Sequence, residues 1–239
     1  MLVHLLGPFI LYAAAPMPAP ARMVEWPGEE IGGITPLLRQ RLLDMTERMT
    51  AAGFGAPVYA GPAVPSNHDS AAAFFERPDG RALAFVFVTE GPHTPTLVSV
   101  TISTRFDDGW MLSTTTFDQV FRFPRRPFTE GLVVTESDDP ARLWAIHEFW
   151  VSRRKPGARP MRMTRGLDPL GYEYADSHRA YDHWVASGYA YELPNGALKF
   201  TALGACLAAW RGVFPWKQWT AWQQRRRTAA VQRDMALYQ

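Results

Sequence analysis

Val98-Ser99-Val100-Thr101-Ile102-Ser103 alternates β-branched apolar residues with hydroxyls. A period of two puts one face of a strand against a core and leaves the other wet. Working outward, Leu83-Ala84-Phe85-Val86-Phe87-Val88 lies upstream, and Trp110 to Phe117 follows across Asp107-Asp108-Gly109. Ala73-Phe74-Phe75-Glu76 precedes Pro78-Asp79-Gly80, whose Asp-Gly pair suits a primed hairpin turn. Leu132-Val133-Val134-Thr135 adds a last strand. These segments predict an antiparallel sheet of about five strands.

Two helices are expected to cover one face of that sheet. Thr35-Pro36 is an N-cap hydroxyl followed by proline at the first helical position, and Leu38, Leu42, Met45 and Met49 recur at helical spacing before Gly53. Asp139-Pro140 repeats the device for a helix from Asp139 to Arg154. Pro156-Gly157-Ala158-Arg159-Pro160 reads as a linker. Beyond it, a helix from about Asp176 to Ser187 ends at Gly188. A hairpin around Asn195-Gly196 follows, then a helix capped by Thr201 and a final one beginning near Pro215. The expected fold class is therefore α+β: an antiparallel sheet with covering helices, followed by a basic helix–hairpin–helix unit. The expected divisions are an apolar, proline-rich segment (1–34), the sheet domain (35–155) and the helix–hairpin–helix unit (161–239).

Residues 1–21 hold no Lys, Arg, Asp or Glu, and Leu5 to Ala15 is almost wholly apolar. Three readings stay open: a segment packed on the protein itself, a weak membrane contact, and an export signal that lacks the usual basic leader. Cys206 is the single cysteine, which excludes an intramolecular disulfide. In Ala205-Cys206-Leu207-Ala208-Ala209 it reads as a small buried hydrophobe. This usage fits the cytoplasm, with membrane association left open.

Charge is sorted along the chain. Residues 1–150 carry eleven Lys and Arg against seventeen Asp and Glu, a net −6, and residues 151–239 carry fourteen against six, a net +8. Two stretches, Phe149 to Leu167 and Leu193 to Arg233, contain no carboxylate. A field of this kind favours an anionic partner and names no reaction.

Linear signatures of catalysis do not fit. His147-Glu148 begins the zinc-hydrolase pattern, but the second histidine would fall at Val151. His147 is instead read as a partly buried structural residue. Asp176, His178, Asp182 and His183 form the dense polar cluster, in which His178 and His183 diverge on a helix while an exposed Asp–His contact accounts for the rest. The sequence has no Gly-x-Ser-x-Gly elbow, phosphate loop, dinucleotide glycine triplet or Cys-x-x-Cys. The expectation is a chain with no cofactor and no metal, in which an active site assembled from distant residues stays open as a third reading behind binding.

Residues 178–212 run from a helix ending Val185-Ala186-Ser187-Gly188-Tyr189, through a short hairpin, to Leu198-Lys199-Phe200-Thr201-Ala202-Leu203-Gly204-Ala205. This stretch resembles the end of a winged-helix domain, where a recognition helix is followed by a wing running into a Thr-x-x-Gly helix start. The wider pattern, with Trp210, Pro215 and the basic tail, also resembles uncharacterised bacterial proteins. The resemblance implies nucleic-acid binding. Against that use, Glu173, Asp176 and Asp182 surround Arg179 where phosphate would approach.

The tail offers another surface. Trp216, Lys217, Trp219, Trp222, Arg225, Arg226 and Arg227 set aromatics beside cations, which suits an acidic protein face or the headgroup layer of an anionic membrane. The competing reading packs the tryptophans back on the protein and leaves the arginines solvated, since Arg226 falls near the face of Trp219 and Ala230. The expected function is non-enzymatic binding or scaffolding through these seven residues, with winged-helix-like nucleic-acid binding as the alternative.

Overall fold

A computed structural model of the chain describes residues 23–26, 31, 33–62, 69–91, 94–117, 126–162, 168–194, 196–212 and 215–238. Most of the 1–34 segment and Asn195 lie outside these. In chain order the elements are β1 (Met23–Glu25), α1 (Pro36–Ala51), β2 (Val58–Pro62), β3 (Asp69–Glu76), β4 (Leu83–Gly91), β5 (Thr94–Arg105), β6 (Met111–Thr115), β7 (Thr129–Val133), α2 (Pro140–Arg154), α3 (Pro169–Ala186), β8 (Ala190–Glu192), β9 (Leu198–Phe200), α4 (Ala202–Gly212) and α5 (Trp216–Ala236). They form two compact units: 126–127 with 174–224, and 23–117 with 128–173 and 225–238.

The second unit holds an α+β layer pair. Its sheet has seven strands in the order β1 to β7. The expectation of about five antiparallel strands is corrected in two ways. Short β1 and β2 extend one edge, and β7 pairs parallel to β6, Met111 opposite Thr129 through Thr115 opposite Val133. A parallel neighbour needs a connection that returns along the strand, and the thirteen residues between Thr115 and Thr129 are long enough for one.

α1 and α2 cover one face. Thr35 Oγ1 accepts from the Leu38 amide and donates to Glu90, fixing the start of α1 to β4. Leu38, Leu42, Met45 and Met49 are then buried against Val86, Val88, Val100 and Ile102, each contributing roughly 2 kcal/mol. Arg77 donates to the carbonyl of Ala52 at 3.1 Å, and its guanidinium lies 4.5 Å from the Trp144 ring centroid. One side chain thereby closes the end of α1 and joins it to α2. On the opposite sheet face, Phe74, Phe85 and Phe87 stack beside a ladder of hydroxyls, Thr101 to Thr115 and Ser103 to Ser113.

Two threonines intrude on the apolar face under α2. Thr104 and Thr114 are 3 % and 1 % exposed, so their hydroxyls cannot reach water. His147 answers both: Nε2 lies 3.0 Å from Thr104 Oγ1 and Nδ1 lies 2.9 Å from Thr114 Oγ1. A neutral ring has one donor and one acceptor, and each hydroxyl can take the complementary role. His147 is wholly buried, deeper than the sequence reading placed it, between Trp144 and Trp150.

Pro156 to Pro160, expected as a linker, runs with Met161 along the end of β5. Asp107 donates to the Arg159 carbonyl and Met161 to that of Arg105, around a bridge between Phe106 and Pro160.

Burial pushes the His147 pKa down to about 3. The unfolded chain binds a proton at this position below about pH 6.5, whereas the native state refuses it until near pH 3. Stability is thus full above pH 6.5 and falls with pH, by about 2–3 kcal/mol at pH 4.5 from this group alone. His147→Gln is expected to cost about 1–3 kcal/mol at pH 7.5 and to remove one proton from the pH slope in urea titrations. An unchanged slope would show that His147 titrates normally in the folded chain.

Candidate functional site

The seven tail residues lie on one helix, α5, which follows Pro215 and receives its first backbone bond from Trp219 to that proline's carbonyl. Two stripes organise it. Thr228, Val231 and Met235 recur at i, i+3 and i+7 on the inner side. Thr228 is fully buried and donates to the Val133 carbonyl at 2.6 Å, while Val231 and Met235 pack on the sheet core. β7 ends the strand order, so a side-chain donor there satisfies a carbonyl that no further strand meets. Past the helix, Tyr238 rests against Phe149 and under the Arg153 guanidinium, 4.2 Å from its ring centroid.

The opposite stripe is Trp219, Trp222, Arg226, Ala229 and Arg233, at i, i+3, i+7, i+10 and i+14. Trp216, Trp219 and Trp222 are 46 %, 49 % and 45 % exposed. The rings of Trp219 and Trp222 stack at 5.0 Å. Lys217, Arg225, Arg226 and Arg227 are exposed as well. The tryptophans therefore do not pack back into a core. Arg226, which by sequence spoils an inward stripe, stands in the outward one.

Of the two carboxylate-free stretches, the first is matched to acids of the sheet unit. Arg154 pairs with Glu130, Lys155 with Asp108 at 2.5 Å, and Arg162 with Glu76 at 3.8 Å. The Lys155 ammonium holds the Asp108 carboxyl below the usual range. Arg154, Lys155 and Arg162 thus serve the fold, while Lys217, Arg225, Arg226 and Arg227 of the second stretch are exposed on α5.

α4 carries a further apolar stripe. Leu203 and Trp210 are 55 % and 56 % exposed, with Cys206 exposed between them. This corrects the expectation of a buried cysteine: Ala205, Ala208 and Ala209 take the inner face, and Cys206 falls opposite. The Thr-x-x-Gly start also has a physical cause. Thr201 Oγ1 accepts from Gly204 and donates to the Gly188 carbonyl, and a Cβ on Gly204 would overlap the carbonyl oxygen of Tyr189. Only glycine lets the helix start so close to that backbone.

The polar cluster of α3 does not converge. Burial pushes the Asp176 carboxyl up, but Arg126, bonded to both its oxygens, and Arg179, 3.1 Å away, override this and hold it below the usual range. His178 packs edge-on to Tyr174, and His183 meets Ser187. Among the described residues, no three His, Cys, Asp or Glu side chains group to hold a metal. The Arg126–Asp176 pair is the contact that sequence reading missed, since fifty positions separate its members. Among the described residues, no helix is long and apolar enough to cross a membrane.

Comparison with protein-family models, with curated proteins and with solved structures finds no match to this chain.

Thr228→Val keeps the shape of the inner stripe and removes its donor. It is expected to cost about 1–2 kcal/mol in urea denaturation while leaving the exposed tryptophans accessible to iodide quenching. A loss below measurement would mean that Val133 finds another partner.

Proposed function

We propose that this protein is a non-enzymatic binding or scaffolding protein that engages an anionic partner through the outward face of α5. The observation that carries this reading is the exposure of three tryptophans within one helix, with three exposed arginines following after Gln223 and Gln224. Apolar area left in water beside cations marks a contact surface rather than a fold requirement. The chemistry suits either an acidic protein face or an anionic membrane surface.

Winged-helix-like nucleic-acid binding is the second reading, favoured by the order helix, hairpin, helix across α3, β8, β9 and α4. Two features weigh against it. α3 carries Glu173, Asp176 and Asp182 against Arg179, and Arg179 is bonded to Asp176.

The two readings separate by mutation. Arg225→Glu, Arg226→Glu and Arg227→Glu together should abolish retention on an anionic exchanger at low salt, whereas Arg179→Ala should leave it unchanged. The ordering reverses if Arg179→Ala abolishes binding to a labelled DNA duplex that the triple variant retains.

A further inference from the structure

We infer that the partner of α5 is an anionic lipid bilayer, on which the helix lies flat with Trp219 and Trp222 at headgroup depth. This rests on the binding reading above and names its ligand class.

Three observations select a bilayer over an acidic protein groove. First, Arg226 shares the outward stripe with the stacked Trp219 and Trp222. A protein groove that took the two rings would also enclose the guanidinium and would need a carboxylate fixed beside it. The headgroup layer holds indole and guanidinium at one depth, because both have an apolar body and a polar tip.

Second, Arg225 and Arg227 leave the helix on either side of that stripe, and both are exposed. Consecutive residues step by about 100°, so a rigid partner meets one of the three arginines squarely and the others obliquely. A fluid layer of lipid phosphates meets all three, since long side chains bend toward it and the lipids rearrange.

Third, no carboxylate occurs from Leu193 to Arg233, so nothing on α4 or most of α5 repels an anionic surface. The inner stripe through Thr228, Val231 and Met235 is already occupied by the sheet unit, so binding requires no unpacking of the helix. The tryptophan stripe is short and mixed with cations, which makes the association peripheral and salt-sensitive rather than an insertion.

The test uses the full chain with three probes: vesicles of phosphatidylcholine alone, the same with a third phosphatidylglycerol, and polyglutamate as the acidic-protein surrogate. Binding is read by co-sedimentation and by the blue shift and bromolipid quenching of tryptophan emission. The wild type should bind the anionic vesicles, not the neutral ones, and release at high salt. Arg225→Gln, Arg226→Gln and Arg227→Gln together should lower the partition coefficient on the order of a hundredfold. Trp219→Ala with Trp222→Ala should lower it roughly tenfold or more and remove the quenching. Unchanged thermal melting of both variants certifies that the fold is intact, as all five side chains are exposed. Binding to polyglutamate without binding to vesicles overturns the bilayer and leaves the binding reading standing. Binding to neither overturns both. Vesicle binding that survives both variants assigns the contact to another surface and overturns the inference.

Discussion

The contact between His147, Thr104 and Thr114 is the constraint on which the sheet unit turns. Two hydroxyls on the buried face of β5 and β6 would each be costly without a partner, and nothing apolar on α2 could answer them. One imidazole answers both, which fixes the rotation of α2 and its distance from the sheet. The rest of the interface follows from that placement. Leu143, Ile146 and Trp150 fall on the core, and Trp144 is set where Arg77 can lie across it from the end of β3. Both ring nitrogens of this histidine are engaged by the two hydroxyls.

What local chemistry specifies was legible in the sequence. Both covering helices announce themselves by a capping side chain and a proline, and both hairpins by their Gly-bearing turns. The edges were not. β1 has three residues and β2 is bounded by proline, so neither shows a period, and each exists because a longer neighbour offers it a ladder. The parallel pairing of β7 depends on where the chain returns after β6, and alternation along a strand says nothing about the direction of its neighbour. The start of α3 was legible and passed over: Asp168 accepts from the Gly171 amide ahead of Pro169, the same pattern as Asp139-Pro140.

The candidate site divides in the same way. Its residue types were readable, and its orientation was not. A stripe on α5 becomes inner or outer only through its neighbours, and here a single buried threonine decides, because Thr228 reaches an edge carbonyl that lacks a strand partner. Once that side is inner, Trp219, Trp222 and Arg226 must face the other way. Cys206 follows the same logic on α4, where small alanines claim the inner face and leave the thiol outside.

The sorting of charge along the chain thereby acquires two meanings. Arginines and lysine after residue 150 look alike in sequence, yet Arg154, Lys155 and Arg162 reach back to Glu130, Asp108 and Glu76 on the sheet. Such half-exposed pairs add little stability each, but they neutralise the acids among which that segment lies. Arg225, Arg226 and Arg227 follow a run of exposed tryptophans and sit where the nearest acid in sequence is Asp234, two helical turns on. All three side chains are exposed, and the field of exposed charge extends into solvent over about a Debye length. On the proposed reading, an anionic surface approaching the molecule meets the cations first at long range and the tryptophans on contact. Attraction and apolar burial would then act in sequence on one helix, whose inner stripe of Thr228, Val231 and Met235 packs on the core.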